Sequence, residues 1–296
     1  MLIKIYSLIC DGNCSSLILN LMNLDASQVR ISIITIVRNG LPFIEQTIKS
    51  VLTQTYKNIE YIVIDGVSTD GTKNLIEQFI EDGAPIIYRS EPDKGISDAF
   101  NKGIALASGD YLLFLNSDDA LASENVIQEV VVEIIRNNYP TFLYGDCDIL
   151  DRQTSKILYR DSVTNFPQSV LKGAVLPHPS SFTNRKYFDQ YGAFDLNYKI
   201  AMDFEWMIRG GLVEKIVHVP LLVSLVRNGG LSGRVDQQKV ANEIILALKK
   251  NGLITSYPME LRLRGYFAVR RLAKQILSSS GLYEVFASYR DGKKSA

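Results

Sequence analysis

The stretch Tyr-Leu-Leu-Phe-Leu-Asn-Ser-Asp-Asp, at positions 111–119, decides how the rest of the chain is interpreted. Its first five residues are apolar or aromatic, which is typical of a strand buried on both faces of a sheet. The strand then passes directly into Asn116, Ser117, Asp118 and Asp119. Two adjacent carboxylates at the end of a buried strand repel each other, and a hard divalent cation such as magnesium or manganese would relieve that repulsion. The alternative is a solvated acidic loop that caps the next helix.

The composition argues against several classes of protein. The chain has 296 residues, and its 32 Lys plus Arg equal its 32 Asp plus Glu, so no excess positive charge favours a nucleic-acid partner. The 3 cysteines and 2 histidines have no metal-ligand spacing, and the odd cysteine count favours a reducing compartment, so we expect a cytoplasmic protein. Polar residues interrupt the apolar ones at 1–29, which predicts an N-terminal extension rather than a signal peptide or a membrane span.

Strand and helix patterns alternate along the first half of the chain. Apolar, β-branched runs at 31–37, 61–64 and 86–88 are each followed by apolar residues at helical spacing, and the strand at 111–115 comes next. This βαβαβαβ order predicts parallel pairing through right-handed crossovers. The chain has no Gly-x-Gly-x-x-Gly after the first strand and no Gly-Lys-Ser/Thr phosphate loop, which argues against a dinucleotide-dependent dehydrogenase and a P-loop enzyme.

The second half mixes short strands with helices. His178 lies in the stiff sequence Pro-His-Pro-Ser, where it is either a fixed cleft residue or an ordinary loop histidine. Asp203 and Glu205 open a predicted helix, where acids also suit the helix dipole, and Trp206 beside them suits a core position. The predicted elements are a helix at 124–137, strands at 142–144, 147–150 and 156–159, a helix at 202–209, a strand at 217–226, and helices at 236–250 and 258–278.

Five motifs in the same order carry a resemblance to a known family. They are Ile-Ile-Thr at 33–35, Val-Ile-Asp-Gly at 63–66 with Ser-Thr-Asp-Gly-Thr at 68–72, Asn-Lys-Gly-Ile at 101–104, Ser-Gly-Asp at 108–110, and Asn-Ser-Asp-Asp at 116–119. Together they resemble the family 2 glycosyltransferases with the GT-A fold, of the bacterial surface-polysaccharide type. The resemblance implies inverting, metal-dependent transfer of a sugar from a nucleotide-diphosphate sugar donor to an acceptor hydroxyl of a glycan or a lipid-linked molecule.

The resemblance also implies an α/β fold with a single GT-A domain, whose Rossmann-like nucleotide-binding part has a mixed, mostly parallel central sheet. This domain is expected at 30–235, with a nucleotide-binding half at 30–120 and an acceptor half at 121–235. An N-terminal extension at 1–29 would precede it, and a C-terminal helical tail at 236–296 would follow.

The family motifs assign roles to particular residues. The resemblance implies that Asp203 is the catalytic base and that Asp118 and Asp119 hold magnesium or manganese. His178, Glu205 and Trp206 are candidates on the acceptor side. The residues implied in nucleotide-sugar binding are Thr35, Arg38, Asp65, Lys94, Asn101, Asn116, Ser117 and Asp118.

The sequence departs from the family pattern at four positions. Asn116 stands where the family has the first acid of its Asp-x-Asp motif, and Gly66 stands where a second acid follows the second strand. Phe100 replaces a common arginine, and Met202 replaces a glutamate before the base. Two alternatives therefore stay open, a nucleotidyltransferase and a catalytically degenerate transferase homologue that acts as an assembly partner.

The last predicted helix, at 258–278, is both apolar and basic. Helical spacing puts Leu263, Tyr266, Phe267, Arg270 and Lys274 near one side, and no acid follows Glu260 within the helix. Such a helix can lie in an anionic membrane interface, which would suit a lipid-linked acceptor at the inner face of a membrane. The alternative is that the apolar stripe packs on the catalytic domain.

Overall fold

The computed structural model describes residues 28–162, 166, 170–173, 175–210, 214–230 and 236–279. Most of the predicted N-terminal extension, residues 1–27, lies outside these ranges, as do residues 231–235 and the end of the predicted tail at 280–296.

Within the described ranges the chain forms nine strands and eight α-helices. In chain order they are β1 (Ile31–Val37), α1 (Ile44–Leu52), β2 (Ile59–Asp65), α2 (Thr72–Glu81), β3 (Ile86–Ser90), α3 (Ile96–Leu106), β4 (Tyr111–Phe114), β5 (Ala120–Leu121), α4 (Val126–Arg136), β6 (Phe142–Leu150), β7 (Ile157–Asp161), β8 (Ser181–Asn184), α5 (Arg185–Tyr191), α6 (Met202–Ile208), β9 (Ile216–Arg227), α7 (Gln237–Lys250) and α8 (Tyr257–Ser279).

One mixed sheet organises these elements. Its strand order is β3-β2-β1-β4-β8-β6-β9-β5, with β7 added beside β6. The first four strands are parallel, as the βαβαβαβ pattern predicts, because each is joined to the next by a helical crossover. Antiparallel β8 then connects β4 to β6, and β6 and β9 pair in parallel. The predicted α/β fold with a mixed sheet is confirmed.

Helices cover both faces of the sheet, and each face has its own core. On one face, α1 and α4 bury residues such as Ile48 and Val130 against the sheet. On the other face, α3, α5, α6 and α7 bury residues such as Phe100, Phe204 and Leu248. Helix α7 falls in the predicted C-terminal tail, yet it packs in the same core as the helix that carries Asp203.

Strand β6 differs from its prediction. Two separate strands were expected at 142–144 and 147–150, because Gly145 and Asp146 interrupt the apolar pattern. The structure has one continuous strand, every residue of which is buried. It continues because backbone of β9 lies where a Gly145 side chain would project, and because the Asp146 carboxylate accepts a hydrogen bond from Ser162 Oγ at 2.7 Å. Short strands β5 and β8 were not predicted, since two and four residues carry too little periodicity.

Candidate active site

A cleft of about 760 Å³ opens where β1 and β4 end. The carboxyl ends of parallel strands are the usual place for a ligand in an open α/β sheet, because the loops there diverge. The cleft brings together these predicted site residues: Arg38, Asn116, Ser117, Asp118, Asp119, His178 and Asp203. Asp203 is far in the sequence from the acids after β4, and the fold brings them together in one cleft.

Asp119 is the buried member of the acidic pair. Its side chain accepts hydrogen bonds from Asn116 Nδ2 at 2.8 Å and from the Arg227 backbone N–H at 3.2 Å. Burial, and after it the negative charge of Asp118, raise the pKa of Asp119 to about 7. The two carboxylates therefore repel each other, as the sequence predicted, and Asp119 holds a proton readily near neutral pH.

Two arginines that the sequence analysis missed surround this pair. Arg152, in the turn between β6 and β7, donates to Asp118 Oδ2 at 2.6 Å. Arg227, at the end of β9, donates to the Asp118 carbonyl oxygen at 2.8 Å and to Gln46 at 2.6 Å. Both guanidinium groups stack on the ring of Phe43, at 4.7 and 4.6 Å from its centroid. A sequence signal existed only for Arg227, which immediately precedes the Asn-Gly-Gly loop of the cleft.

The chemistry of the acidic pair suits a divalent cation. Among the described residues, no group of three or more histidine, cysteine or acidic side chains is arranged to hold a metal ion. Magnesium and manganese are commonly held by one or two carboxylates together with water and substrate phosphates, so a pair is sufficient when a phosphorylated ligand shares the ion. A cation would also relieve the repulsion that raises the pKa of Asp119. Asp118 and Asp119 therefore fit the predicted role.

Asp203 lies in the first turn of α6, on the cleft wall. The backbone N–H of Phe204 donates to its Oδ1 at 2.7 Å. Burial, and to a smaller degree the charge of Glu243, raise the pKa of Asp203 to about 6. Glu243 of α7 also accepts hydrogen bonds from the backbone N–H groups of Ile200 and Ala201, at 2.9 and 2.8 Å. Helix α7 therefore fixes the segment that presents Asp203, a role that no sequence motif indicated.

His178 lines the same cleft and is neutral. Its ring stacks on Phe114 with centroids 4.8 Å apart and an angle of 19° between the planes. Burial lowers the pKa of His178 to about 4, so the imidazole carries no charge at neutral pH. Its Nε2 atom is buried and has no hydrogen-bond partner among the described residues. The structure thus favours the fixed cleft residue over the ordinary loop histidine.

Four predicted donor-binding residues do not line the cleft. Asp65 is buried and accepts hydrogen bonds from the turn after β2 and from β3, which fixes this loop. Thr35 is buried in β1 and accepts from Tyr61 Oη at 3.3 Å. Asn101 exchanges two 2.9 Å hydrogen bonds with the Phe194 backbone. Lys94 is exposed.

Glu205 and Trp206 also lie outside the cleft, in the interior behind α6. Glu205 is fully buried and forms an ion pair with Arg209 at 2.6 Å. Trp206 is buried among aromatic rings and donates from Nε1 to the Gly192 carbonyl oxygen at 3.1 Å. Their side chains point to the core side of α6 because Asp203, two and three residues earlier, occupies the cleft side. Glu205 and Trp206 therefore stabilise the packing of α6 and do not reach the cleft, where acceptor contacts were predicted for them.

Asp93 is a further cleft residue that the sequence analysis missed. It lies in the loop between β3 and α3, and a side chain at Gly66 would collide with its carboxylate. Asp93 thus brings an acid beside the position where the resemblance implies a second acid after β2. In the sequence Glu-Pro-Asp-Lys-Gly at 91–95, Asp93 lines the cleft, whereas Lys94, the predicted donor-binding residue, does not.

Comparisons with known proteins agree with this fold. An uncharacterised glycosyltransferase of Mycobacterium tuberculosis is 36% identical over 185 residues, which are 62% of this chain and 69% of that protein. The crystal structure of Staphylococcus aureus TarS in complex with UDP-GlcNAc matches with a TM-score of 0.62 at 14% identity, over 82% of this chain and 73% of that one. In a longer TarS chain the match covers only 39% of that chain.

A mannosyltransferase from Pyrobaculum calidifontis, in complex with GDP-Man and Mn²⁺, matches with a TM-score of 0.59 at 16% identity, over 90% of this chain and 80% of that one. These structural matches show the GT-A fold. The sequence model of the family described as Glycosyl transferase family 2 matches residues 32–212, which is more than half of the chain. The protein belongs to glycosyl transferase family 2 and is a glycosyltransferase.

Proposed function

We propose that this glycosyltransferase moves a sugar from a nucleotide-diphosphate donor to an acceptor hydroxyl, with inversion and with the help of magnesium or manganese. The observation that carries the proposal is that Asp118 and Asp203 line one cleft. A paired acid site for the donor diphosphate and a separate carboxylate for the acceptor are the two parts that such a reaction needs. The donor complexes of TarS and of the Pyrobaculum mannosyltransferase support the donor class.

The donor side of the cleft is assigned to the loops after β1 and β4. Asp118 and Asp119 would hold a divalent cation, which would supply positive charge to offset that of the departing nucleoside diphosphate. Arg152 already contacts Asp118, so its guanidinium lies within reach of the same diphosphate. Arg38 and Asp93 line the cleft near Gly66 and are proposed to contact the nucleoside.

The acceptor side is assigned to Asp203 and His178. Asp203 accepts the proton of the attacking hydroxyl while the oxygen attacks the anomeric carbon on the face opposite the leaving group, which inverts the configuration. Its raised pKa of about 6 suits this role, because the carboxylate is ionised at neutral pH and more basic than an ordinary aspartate. His178 lines the cleft as a neutral ring and is proposed to contact the acceptor sugar.

The acceptor is proposed to be a glycan or a lipid-linked molecule in polysaccharide or glycoconjugate biosynthesis. We place the protein in the cytoplasm, with contact to the inner face of the membrane through the C-terminal helix. Within the described ranges, every helix is too short or too polar to span a bilayer.

The test begins with donor binding. Thermal-shift measurements with a set of nucleotide-diphosphate sugars, each with and without manganese, select the donor. Transfer is then followed by release of the nucleoside diphosphate in the presence of candidate acceptors. Asp118→Ala is expected to lower turnover at least ~100-fold, whereas Asp82→Asn, which changes an exposed carboxylate outside the cleft, leaves turnover unchanged.

The same assays separate the alternatives. Pyrophosphate release from a nucleoside triphosphate, without transfer of a sugar, would show a nucleotidyltransferase. Manganese-dependent donor binding without any transfer or hydrolysis would show a degenerate homologue that acts as an assembly partner. Full activity of Asp118→Ala with unchanged manganese dependence would refute the assignment of the cation site.

A further inference from the structure

Helix α8 has a packed face and an exposed apolar face. Leu263 and Phe267, which the sequence placed on the apolar side of this helix, pack on the core beside α7, as the alternative of packing on the catalytic domain predicts. Glu260 is buried on the same side. The exposed apolar face consists of Tyr257, Leu261, Val269, Leu272 and Ile276, which are 71%, 50%, 69%, 57% and 57% exposed. Single exposed apolar residues are ordinary, but five on one helix form a continuous surface.

Helix geometry places these five residues on one arc. At about 100° per residue they fall within an arc of about 120°, and they extend over about 28 Å of the axis. Arg264 lies at one border of this arc, where it forms an ion pair with Glu260 at 2.7 Å, and Arg262 lies at the other border. Helix α8 contains one acidic residue, Glu260, and it is on the packed face. The exposed apolar face therefore has basic borders and no acid.

We propose that the exposed apolar face of α8 binds the surface of an anionic lipid membrane, with the helix parallel to the bilayer plane. An amphipathic helix lies in this way when its apolar face enters the acyl boundary and basic side chains meet anionic headgroups. Tyr257, at the start of the face, is a residue type that favours the headgroup level. A second copy of α8 is a poorer partner, because paired apolar faces would bring bordering arginines together without acids between them.

The packing of α8 connects this surface to the cleft. Helix α8 packs on α7, and Glu243 of α7 holds the backbone that presents Asp203. A docked α8 would keep the base two helices away from the bilayer, a position that suits an acceptor carried on a lipid. This consequence rests on the proposed sugar transfer, whereas membrane binding by α8 does not depend on it.

The test is sedimentation of the full chain with vesicles, without donor or acceptor. One set of vesicles contains phosphatidylglycerol and phosphatidylcholine, and the other contains phosphatidylcholine alone. The face variant is Leu261→Ser with Leu272→Ser. The matched control is Ile157→Ser with Leu158→Ser on β7, where the two side chains are 62% and 41% exposed.

The wild-type protein and the control are expected to sediment with the anionic vesicles, and binding falls as salt is added. The face variant is expected to bind at least ~10-fold more weakly, since two half-exposed leucines supply much of the apolar contact. Arg262→Glu, which keeps the apolar face intact, is also expected to weaken binding to the anionic vesicles. Thermal denaturation of each variant checks that the fold is retained.

Three outcomes would overturn the proposal. The first is that the wild-type protein stays in the supernatant with both kinds of vesicle. The second is that the face variant and the β7 control lose binding equally. The third is that analytical ultracentrifugation shows a wild-type dimer that Leu261→Ser with Leu272→Ser dissociates, which would make this face a self-association surface. Because no substrate is present, none of these outcomes bears on whether the protein transfers a sugar.

Discussion

The raised pKa of Asp203 predicts an acidic limit to turnover. A general base accepts a proton only in its ionised form, so turnover falls as the pH drops below the pKa of that base. Burial of Asp203 raises its pKa to about 6, well above that of an ordinary aspartate. The perturbation is therefore a change of pH, from about 7.5 to about 5, across the ionisation of this one carboxyl.

The magnitude follows from the ionised fraction. With a pKa of about 6, Asp203 is ~97% ionised at about pH 7.5 and ~9% ionised at about pH 5, so kcat/KM for the acceptor falls about tenfold. An unperturbed aspartate, with a pKa of about 3.9, would still be ~93% ionised at about pH 5, and kcat/KM would hardly change. A pKa of about 6 therefore predicts a fall of about tenfold, and an ordinary aspartate predicts almost none.

The assay is nucleoside diphosphate release at saturating donor, fixed manganese and low acceptor concentration, so that kcat/KM for the acceptor, which reports the pKa of the acceptor-free enzyme, is measured. Asp119 needs a control, because its pKa of about 7 lies in the same range and its protonation weakens the cation site. Raising manganese further restores turnover lost through Asp119, because the cation displaces the proton. The loss caused by Asp203 does not respond to manganese.

Two results would refute this reasoning. A value of kcat/KM for the acceptor that stays constant between about pH 7.5 and about pH 5 would show that no group with the pKa of Asp203 limits the reaction of the acceptor-free enzyme. A residual rate of Asp203→Asn that keeps the same acidic limit would assign the limit to another residue. The substitution itself is expected to lower kcat by ~10²–10⁴ while manganese and donor binding stay close to wild type.

Two further predictions concern the acidic pair. The folded state raises the pKa of Asp119 to about 7. Protonation of this carboxyl stabilises the folded state fully below about pH 4, and this stabilisation is lost as the pH rises through about 7, which lowers the free energy of unfolding by up to about 4 kcal/mol. Thermal denaturation at about pH 8 should therefore find Asp119→Asn more stable than wild type, with manganese stabilising only the wild type. Arg152→Gln removes the partly exposed ion pair with Asp118, so calorimetry should find manganese bound about threefold to tenfold more tightly, whereas Lys156→Gln in the same hairpin has no effect. Unchanged manganese affinity in Arg152→Gln would show that the two cations do not compete.

Local patterns were sufficient to predict the parallel half of the sheet. Strands β1, β2 and β4 are mostly apolar and are buried on both faces, and each connecting helix has one apolar stripe. The spacing of apolar residues in the sequence therefore agrees with the burial in the structure. The position of Asp118 and Asp119 followed from the same pattern, because residues after such a strand reach the carboxyl edge of the sheet. Asp203 required the family resemblance, since a first-turn acid on a short helix is by itself ordinary.

The residues that were missed reach the site from distant parts of the chain. Arg152 lies in a hairpin turn whose composition predicts only a turn, and its contact with Asp118 depends on β6 lying two strands from β4 in the sheet. Asp93 and Glu243 are likewise placed by tertiary packing. Glu205 was chosen for its proximity in sequence to Asp203, but helix geometry turns it towards Arg209 in the core.

The charges of the cleft account for several of these features together. Among the described residues, its charged lining consists of four basic side chains and four acidic ones: Arg38, Arg152, Lys199 and Arg227, with Asp93, Asp118, Asp119 and Asp203. With all eight ionised, the lining is neutral overall. Asn116, which stands where the family has an acid, keeps this balance, because an aspartate there would add a negative charge beside Asp119.

A donor diphosphate adds negative charge that a neutral lining does not offset. A divalent cation that enters with the diphosphate does offset it, and it also relieves the repulsion within the acidic pair. Arg152 donates a hydrogen bond to the side chain of Asp118, and Arg227 donates one to its carbonyl oxygen. A cation that binds alone must therefore compete with Arg152 for the Asp118 carboxylate. A cation that binds with a diphosphate gives the Arg152 guanidinium a new anionic partner. If the protein uses a divalent cation as proposed, we expect donor and cation to bind together more tightly than either one binds alone.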